Sequence, residues 1–321
     1  MTRRSRATRS PLPQRAGVDA VRLTLPVGGR WGTVRDHLVE RLAPGAEVVD
    51  GMLAAGEFVT LEGPVKHDDP YVGGQVIWFH RELAPETPVP FPIEVLYRDE
   101  HLVVADKPHF LATTPRGSHI TETALARLRR ELELPGLSAA HRLDRLTAGV
   151  VLFVVRPEER GRYQSLFADK RVHKEYEAIA PYDPVLELPR TVRSRIEKVR
   201  GVIAAHEVPG EANSESRVEL IDHRPVPSYG GALGRYRLLP RTGRTHQLRV
   251  HMNALGLPLL GDPVYPAVLD QAAADDFARP LQLLATTLEF TDPVTGTEHR
   301  FHTRRTLQAW DAYDAWDADE V

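Results

Sequence analysis

Apolar residues near the start of the chain recur at helical spacing, and the pattern changes to strand-like runs further on. Two short helices are expected over 31–42 and 48–55, the second ended by Gly56. Two short strands are expected over 58–61 and 75–79, with turn residues between them. Together these elements predict a small α+β module.

From residue 93 onward, strand-like runs alternate only occasionally with helical segments. Helical spacing predicts one helix over 121–132, capped by Thr121, and another that opens at Pro157. The runs that predict strands are 101–105, 150–155, 174–179, 234–239 and 282–290. Since strands outnumber helices without regular βαβ alternation, the pattern predicts an α+β fold with a mixed, largely antiparallel sheet.

Four closely spaced prolines separate the two patterns. Pro85, Pro88, Pro90 and Pro92 leave few hydrogen-bond donors and a stiff extended backbone, as expected of a linker. The start of the chain is rich in arginine and is expected to be disordered, and its end is acidic. The predicted organisation is a basic tail (1–17), a small α+β domain (18–84), a linker (85–92), a catalytic domain (93–310) and an acidic tail (311–321).

Composition narrows the possible functions. The 321 residues include no cysteine, which removes disulfides, thiolate nucleophiles and cysteine-ligated metal centres. No apolar run is long enough for a signal peptide or a membrane span, so a cytoplasmic protein without a membrane partner is expected. A net charge of −3 argues against non-specific coating of nucleic acid, so any RNA binding must be local.

One candidate for chemistry is HRLDRLTAG, residues 141–149, immediately before a predicted buried strand. Four ionisable side chains crowd this short loop: His141, Arg142, Asp144 and Arg145. Charges at low dielectric must be paired or used, which favours a functional site. A surface loop with structural ion pairs is the alternative.

A second candidate is RTGRTHQLRVH, residues 241–251. If this segment is extended, one face carries Arg244, His246 and Leu248, and Gln247 and Arg249 lie on the other. Neither face is cleanly apolar, and GDPVY follows as a turn. The segment therefore reads as the wall of a site rather than an ordinary amphipathic strand.

These motifs resemble those of the RluA-type RNA pseudouridine synthases. HRLDRLTAG resembles the catalytic motif of that family, and GRTHQLRVHMNALGLPLLGDPVY resembles its third motif almost residue for residue. Residues 167–174 with Tyr176 and Ala178 match the second motif, and the DKP of 106–108 with Pro115 matches the first. The resemblance covers about 91–305 and implies a catalytic domain of pseudouridine synthase type.

The resemblance implies three catalytic residues. Asp144 would start cleavage of the N-glycosidic bond of a uridine, Tyr176 would stack on the uracil, and Arg244 would pair with Asp144. Since the reaction is an isomerisation, no cofactor or metal is expected. Attack at the sugar, addition to the base and removal of a ribose proton all remain open as the role of Asp144.

The remaining implied site residues bind substrate. Arg142 would fill the space that a flipped nucleotide leaves, and Leu248 would contact the base. For four more residues, three roles stay open, namely binding a phosphate, ordering the loop or satisfying buried backbone groups: Lys174, His246, Gln247 and Arg249. The expected partner is a ribosomal or transfer RNA, and the protein is expected to be a monomer.

The small N-terminal domain is more faintly similar to an S4-type RNA-binding domain. The S4 fold normally offers a basic helix face, but here acidic residues dominate the charged positions. They are Asp36, Glu40, Glu47, Asp50, Glu57, Glu62, Asp68 and Asp69, against Arg35, Arg41 and Lys66. The charge predicts little RNA affinity for this domain.

Two other functions compete with this interpretation. A metal-dependent hydrolase would use His141, Asp144, His246 and His251, but no HExxH-like pair is present and the surrounding arginines would repel a cation. A catalytically silent RNA-binding or RNA-folding protein on the same fold is the second alternative. The presence of Asp144, Tyr176 and Arg244 argues against it.

Overall fold

The computed structural model describes residues 10–42, 45–269 and 276–318. The chain divides into two compact units, with the boundary between Pro85 and Glu86. Most of the predicted basic tail and the last three residues of the predicted acidic tail lie outside the described residues. Across the described ranges, no helix combines the length and the apolar character that crossing a membrane requires.

The first unit has two helices and a two-stranded antiparallel sheet. The elements are β1 (Val21–Thr24), α1 (Val34–Leu42), α2 (Ala46–Ala54) and β2 (Val76–Phe79). The predicted strand over 58–61 is wrong, because Val59 forms only isolated bridges and no continuous strand is present there. Phe58 instead packs in the apolar cluster of this unit. The likeness of this unit to an S4 domain stays a prediction.

The second unit contains the other strands and helices. Its strands are β3 (Glu94–Arg98), β4 (Leu102–Lys107), β5 (Ser138–Ala139), β6 (Ala148–Val154), β7 (His173–Pro181), β8 (Arg190–Glu197), β9 (His206–Val208), β10 (Ser214–Val226), β11 (Gly231–Pro240), β12 (Leu283–Thr291) and β13 (Glu298–His302). Its helices are α3 (Ala124–Glu131), α4 (Arg160–Ala168), α5 (Gln247–Ala254), α6 (Gln308–Asp311) and α7 (Tyr313–Asp317), with a 3₁₀ turn at Pro227–Tyr229.

Within the described residues, the strands of this unit form one sheet. The order is β3-β4-β6-β12-β7-β11-β10-β8-β9, with β5 beside β6 and β13 beside β12. The described strand pairs are antiparallel except for β6 with β12. The prediction of an α+β fold with a mixed, largely antiparallel sheet is confirmed.

Strands β4 and β6 are buried on both faces, which explains their continuous apolar sequence. On one face, Val103 and Phe153 pack in a cluster with Leu128 of α3. On the other, Leu152 packs in a cluster with Tyr163 of α4. The strongest sequence signals therefore mark the two fully buried strands near one edge of the sheet.

Several boundaries differ from the sequence prediction: α1 begins at Val34 instead of residue 31, α2 at Ala46 instead of residue 48, and α4 at Arg160 instead of Pro157. Helix α3 begins at Ala124, and its cap is Thr123, whose hydroxyl accepts the amide of Ala126 at 3.1 Å. The predicted acidic tail forms α7, where Tyr313 and Trp316 are buried. Two aromatic rings three residues apart dock onto the apolar surface of the fold although acidic residues surround them.

We expect residues 86–321 to fold without the first unit. Each described apolar cluster draws its residues from one unit only, so cutting before Glu86 removes no member of the clusters of the second unit. The fragment should unfold in one cooperative transition, measured by circular dichroism in urea. Loss of secondary structure or a broad, non-cooperative transition would contradict this expectation.

Candidate active site

The loop that carries Asp144 connects β5 to β6 and lies beside β7. Gly149 pairs with Ala285 of β12, and Tyr176 of β7 flanks the same Ala285. Gly149 has a φ of 112°, and a Cβ there would lie 2.2 Å from the carbonyl oxygen of Ala285. Only glycine permits this approach, which brings the Asp144 loop next to Tyr176.

Side chains from the segment after β4 hold the main chain of the Asp144 loop. The hydroxyl of Thr113 donates to the carbonyl of Leu143 at 2.7 Å and accepts its amide at 3.1 Å. The Nδ1 atom of His109 lies 2.7 Å from the carbonyl of Leu146. The loop is therefore fixed on both sides of Asp144 by contacts to backbone atoms.

Lys107 lies beneath the same loop and is fully buried. Its ammonium donates to the carbonyls of Pro108 at 3.0 Å, Leu111 at 2.7 Å and Arg145 at 3.3 Å. Burial lowers the pKa of Lys107 well below its ordinary value, and the charge of Asp144 acts in the opposite direction. The lysine therefore ties the turn after Asp144 to the end of β4.

Arg249, on the first turn of α5, is the ion-pair partner of Asp144. Its side chain is 3% exposed, and its Nη1 atom lies 3.9 Å from a carboxylate oxygen of Asp144. It also forms a bidentate pair with the buried Asp262, at 2.7 and 2.6 Å. Burial opposes the charge of Arg249, but the hydrogen bond and charge of Asp262, with Asp144, raise its pKa above the ordinary value.

The predicted pairing of Asp144 with Arg244 is wrong. Arg244 is exposed, and its Nε atom donates to the carbonyl of Asn213 at 3.2 Å. The segment is not extended, because the chain turns at His246, with a φ of 56°, and then enters α5. The helix directs Arg249 into the fold, which leaves Arg244 at the surface of the cleft.

The predicted substrate-binding role of Gln247 does not fit its contacts. Its oxygen accepts from the hydroxyl of Thr242 at 2.7 Å and the amide of Arg244 at 3.0 Å. Its nitrogen donates to the carbonyl of Glu215 at 3.0 Å and the hydroxyl of Ser216 at 2.8 Å. These four bonds use the full capacity of the amide, so Gln247 clamps α5 to β10.

His246 and Tyr265 connect the start of α5 to the loop between β8 and β9. The Nδ1 atom of His246 lies 3.1 Å from the hydroxyl of Tyr265, which also bonds the amide and carbonyl of Ala205 at 2.8 Å each. Burial lowers the pKa of His246, and the charge of Asp144 opposes that shift. The lowered pKa leaves the imidazole largely uncharged at neutral pH.

Three other predicted residues provide the walls of the site. Tyr176 packs against the apolar clusters on both sides, and burial raises the pKa of its hydroxyl. Leu248 is buried on α5. Lys174 donates to the carbonyl of Thr242 at 3.3 Å, and burial lowers its pKa. Together they form a partly apolar pocket wall with one amine beside it.

His141 is held inside the loop. Its Nε2 atom accepts the amide of Leu152 at 3.1 Å, and its ring stacks on Phe167 with centroids 4.4 Å apart. Burial lowers the pKa of His141 to about 3, so the ring is uncharged at neutral pH. Among the described residues, no group of three or more histidines and carboxylates is placed to hold a metal ion, which leaves the metal-hydrolase alternative without a ligand set there.

The nine predicted site residues line a single cleft of about 910 Å³. Its described lining contains eight arginines and lysines and two carboxylates. The basic residues are Arg116, Arg142, Arg145, Lys170, Lys174, Arg193, Arg244 and Arg249, and the carboxylates are Asp144 and Glu215. Positive charge is therefore concentrated at the cleft although the chain as a whole is slightly negative.

Comparison with known proteins identifies pseudouridine synthases among the relatives of this chain. The family model described as RNA pseudouridylate synthase matches residues 101–254. The ribosomal large subunit pseudouridine synthase D of Vibrio vulnificus is 30% identical over 285 residues, which cover 84% of this chain and 82% of that protein. The dual-specificity RNA pseudouridine synthase RluA of the same organism is 30% identical over 206 residues, 62% of this chain and 78% of that protein.

A human relative and a solved structure extend the comparison. Human pseudouridylate synthase RPUSD2 is 34% identical over 202 residues, 59% of this chain, and the match spans only 33% of that longer protein. The structure of human RNA pseudouridylate synthase domain containing 4 is 24% identical, with a TM-score of 0.51 over 69% of this chain and 92% of that chain. The solved structure therefore shares the fold of this chain.

We expect Arg249→Ala to be strongly destabilising. Removing the guanidinium leaves the buried carboxylate of Asp262 without its charge partner, which costs about 3–5 kcal/mol of unfolding free energy. Arg244→Ala is the matched control, and its exposed side chain predicts a change within about 0.5 kcal/mol. Urea unfolding followed by fluorescence measures both. Equal stability of the two variants would contradict the assignment of Arg249 as the buried partner.

Proposed function

The chain belongs to the RluA-type RNA pseudouridine synthases, and from this premise we propose that it isomerises one uridine of a structured ribosomal or transfer RNA, with Asp144 as the catalytic carboxylate. The observation that carries the proposal is the position of Asp144 at the wall of a basic cleft, paired with a buried arginine. The neighbouring Tyr176 supports it, because an aromatic ring can stack on a base.

The reaction balance explains why a single carboxylate is sufficient. The bond from C1′ of the ribose to N1 of uracil breaks, the base turns, and C1′ bonds to C5. The proton of C5 leaves, and N1 is protonated in the product. Nothing is oxidised or reduced, so one group must start glycosidic cleavage and assist the proton transfers. Asp144 is one-third exposed towards the cleft and takes this role.

The cleft accepts the uridine only after it leaves the RNA stack. Flipping costs a few kcal/mol of stacking and pairing free energy, which contacts in the pocket must offset. Tyr176 and Leu248 supply apolar surface for the base, and the exposed Arg142 stands next to Asp144 in the loop and fills the vacated space. Arg142 makes no hydrogen bond or ion pair with another described residue, which leaves its guanidinium available.

Phosphate contacts come from the cationic lining of the cleft. Arg244 and Lys174 face the cleft, and neither forms an ion pair with a described carboxylate. Arg249 is excluded from this role because it is buried and bound to Asp262. We therefore reassign Arg244 from partner of Asp144 to phosphate contact.

The relatives support the proposed class of RNA, and the charge of the first unit bears on which part of the protein binds it. Relatives that act on the ribosomal large subunit and one of dual specificity support a ribosomal or transfer RNA substrate. The acidic first unit contributes little to RNA affinity. A monomeric state and a cytoplasmic location stay predictions. Mapping pseudouridines in cellular RNA with and without the protein identifies the uridine.

We expect Asp144→Asn to abolish turnover while RNA binding stays intact. The amide keeps the shape of the side chain but cannot act as a carboxylate, so tritium release from C5-labelled uridine should fall by roughly a hundredfold or more. RNA affinity should stay within about threefold, since the carboxylate acts in the chemical step.

The exposed Asp183 supplies a matched control outside the cleft lining. Asp183→Asn should release tritium at the wild-type rate. Near wild-type turnover by Asp144→Asn would remove Asp144 from the mechanism. A wild-type protein that binds RNA and releases no tritium would favour the catalytically silent alternative.

We expect Arg244→Ala to weaken RNA binding by loss of one phosphate contact. The slope of log affinity against log salt concentration should become shallower by about 0.7 to 0.9, the change expected for one contact. Arg217→Ala is the control, because Arg217 lies outside the cleft lining and is paired with Glu219 at 2.6 Å. An unchanged slope for Arg244→Ala, with turnover lost, would return Arg244 to a catalytic role.

A further inference from the structure

The segment that follows the first unit is bound along the catalytic unit. Val89 is buried, and Phe91 stacks on Phe110 with ring centroids 6.2 Å apart. Arg127 of α3 donates to the carbonyls of Val89 at 2.6 Å and Phe91 at 2.8 Å. We call residues 86–93 the strap. The sequence predicted a linker here, and the strap indeed lacks helix and strand before β3, but it packs against the core.

The strap begins with Glu86, whose carboxylate binds three consecutive backbone amides. It accepts from the amides of Ile120 at 3.0 Å, Thr121 at 2.7 Å and Glu122 at 3.1 Å, and from the hydroxyl of Thr121 at 2.9 Å. Successive amides directed at one point form a favourable site for an anion. Burial alone would raise the pKa of Glu86, but these hydrogen bonds hold it below the ordinary value, so the group is charged at neutral pH.

The amides that Glu86 binds end a loop at the edge of the cleft. We call residues 114–121 the rim loop. Arg116 and His119 of this loop line the cleft, and their backbones bond each other at 2.8 and 3.2 Å. At the base of the loop, the amide of Ala124 donates to the carbonyl of Ala112 at 2.8 Å. Glu86 holds the part of the loop that leads from the tip back to this base, by accepting the amides of Ile120 and Thr121.

Arg116 at the tip is available to a ligand. Its side chain is exposed, and its guanidinium forms no hydrogen bond or ion pair with any described residue. An unpaired guanidinium at the edge of a basic cleft suits a phosphate oxygen of the bound RNA. The position of Arg116 depends on the loop that carries it, and therefore on Glu86.

We propose that Glu86 is a positioning residue, which fixes the rim loop so that Arg116 contacts a phosphate of the substrate RNA. The inference rests on the proposed function, because it names a contact of that same site. Asp144 is held separately by Lys107, His109 and Thr113, so loss of Glu86 leaves the chemical step intact. The role is therefore in substrate binding and not in turnover.

Backbone hydrogen exchange in the full-length protein tests the anchor without reference to activity. Glu86→Gln should accelerate exchange at the amides of Ile120, Thr121 and Glu122, because a neutral amide replaces a charged acceptor of several bonds. Glu82→Gln, the same substitution at an exposed residue four positions earlier, should leave exchange at these amides unchanged. Unchanged exchange in Glu86→Gln would overturn the anchor.

Steady-state kinetics with C5-tritiated RNA test the positioning role. Glu86→Gln should raise KM about tenfold, equal to about 1.4 kcal/mol, with kcat unchanged. Arg116→Ala should raise KM to a similar extent. If Glu86 acts through Arg116, Glu86→Gln adds nothing further in the Arg116→Ala background.

The outcomes separate this inference from the proposed function. A wild-type protein without tritium release contradicts the function, whereas active wild type with an unchanged KM in Glu86→Gln contradicts the inference alone. Additive effects of the two substitutions, or a fall in kcat with KM unchanged, also overturn it, because they give Glu86 a structural role that does not pass through Arg116.

Discussion

The buried guanidinium of Arg249 is the constraint on which the site depends. A charge with 3% exposure must be paired, and two carboxylates share it: Asp262 through two hydrogen bonds and Asp144 at 3.9 Å. Asp262 is itself fixed by the backbone amides of Val264 and Tyr265. The third motif, which carries Arg249 and Asp262, thus meets the Asp144 loop through one side chain, and the placement of Asp144 depends on that buried charge.

Positive charge is concentrated at the cleft because arginines on the adjoining strands are neutralised by carboxylates. On the adjoining strands Arg235 bonds Glu177 at 2.6 Å, and Arg217 bonds Glu219. Such exposed pairs contribute little to the free energy of unfolding, but they neutralise positive charge on the surface around the cleft. A protein with a net charge of −3 can therefore attract a polyanion to one place without binding it everywhere.

The sequence predicted the buried strands β4 and β6 and the residues that line the cleft, because continuous apolar runs and long motifs are local signals. It could not predict contacts made over long distances. The local sequence does not show whether Arg244 or Arg249 pairs with Asp144, because the choice depends on a left-handed turn at His246, a conformation that is uncommon for residues other than glycine. Likewise, the four prolines predict an extended segment. They do not predict that Glu86 accepts hydrogen bonds from backbone amides more than thirty residues later in the chain.

The contacts that fix the Asp144 loop bind its main chain. Thr113 and His109 hold carbonyl and amide groups that every residue possesses, so they do not depend on which side chains the loop carries. A substitution of the exposed Arg142 therefore leaves intact the main-chain contacts that place Asp144. In such an architecture, side-chain contacts on the exposed side of the loop can change independently of the backbone that carries Asp144.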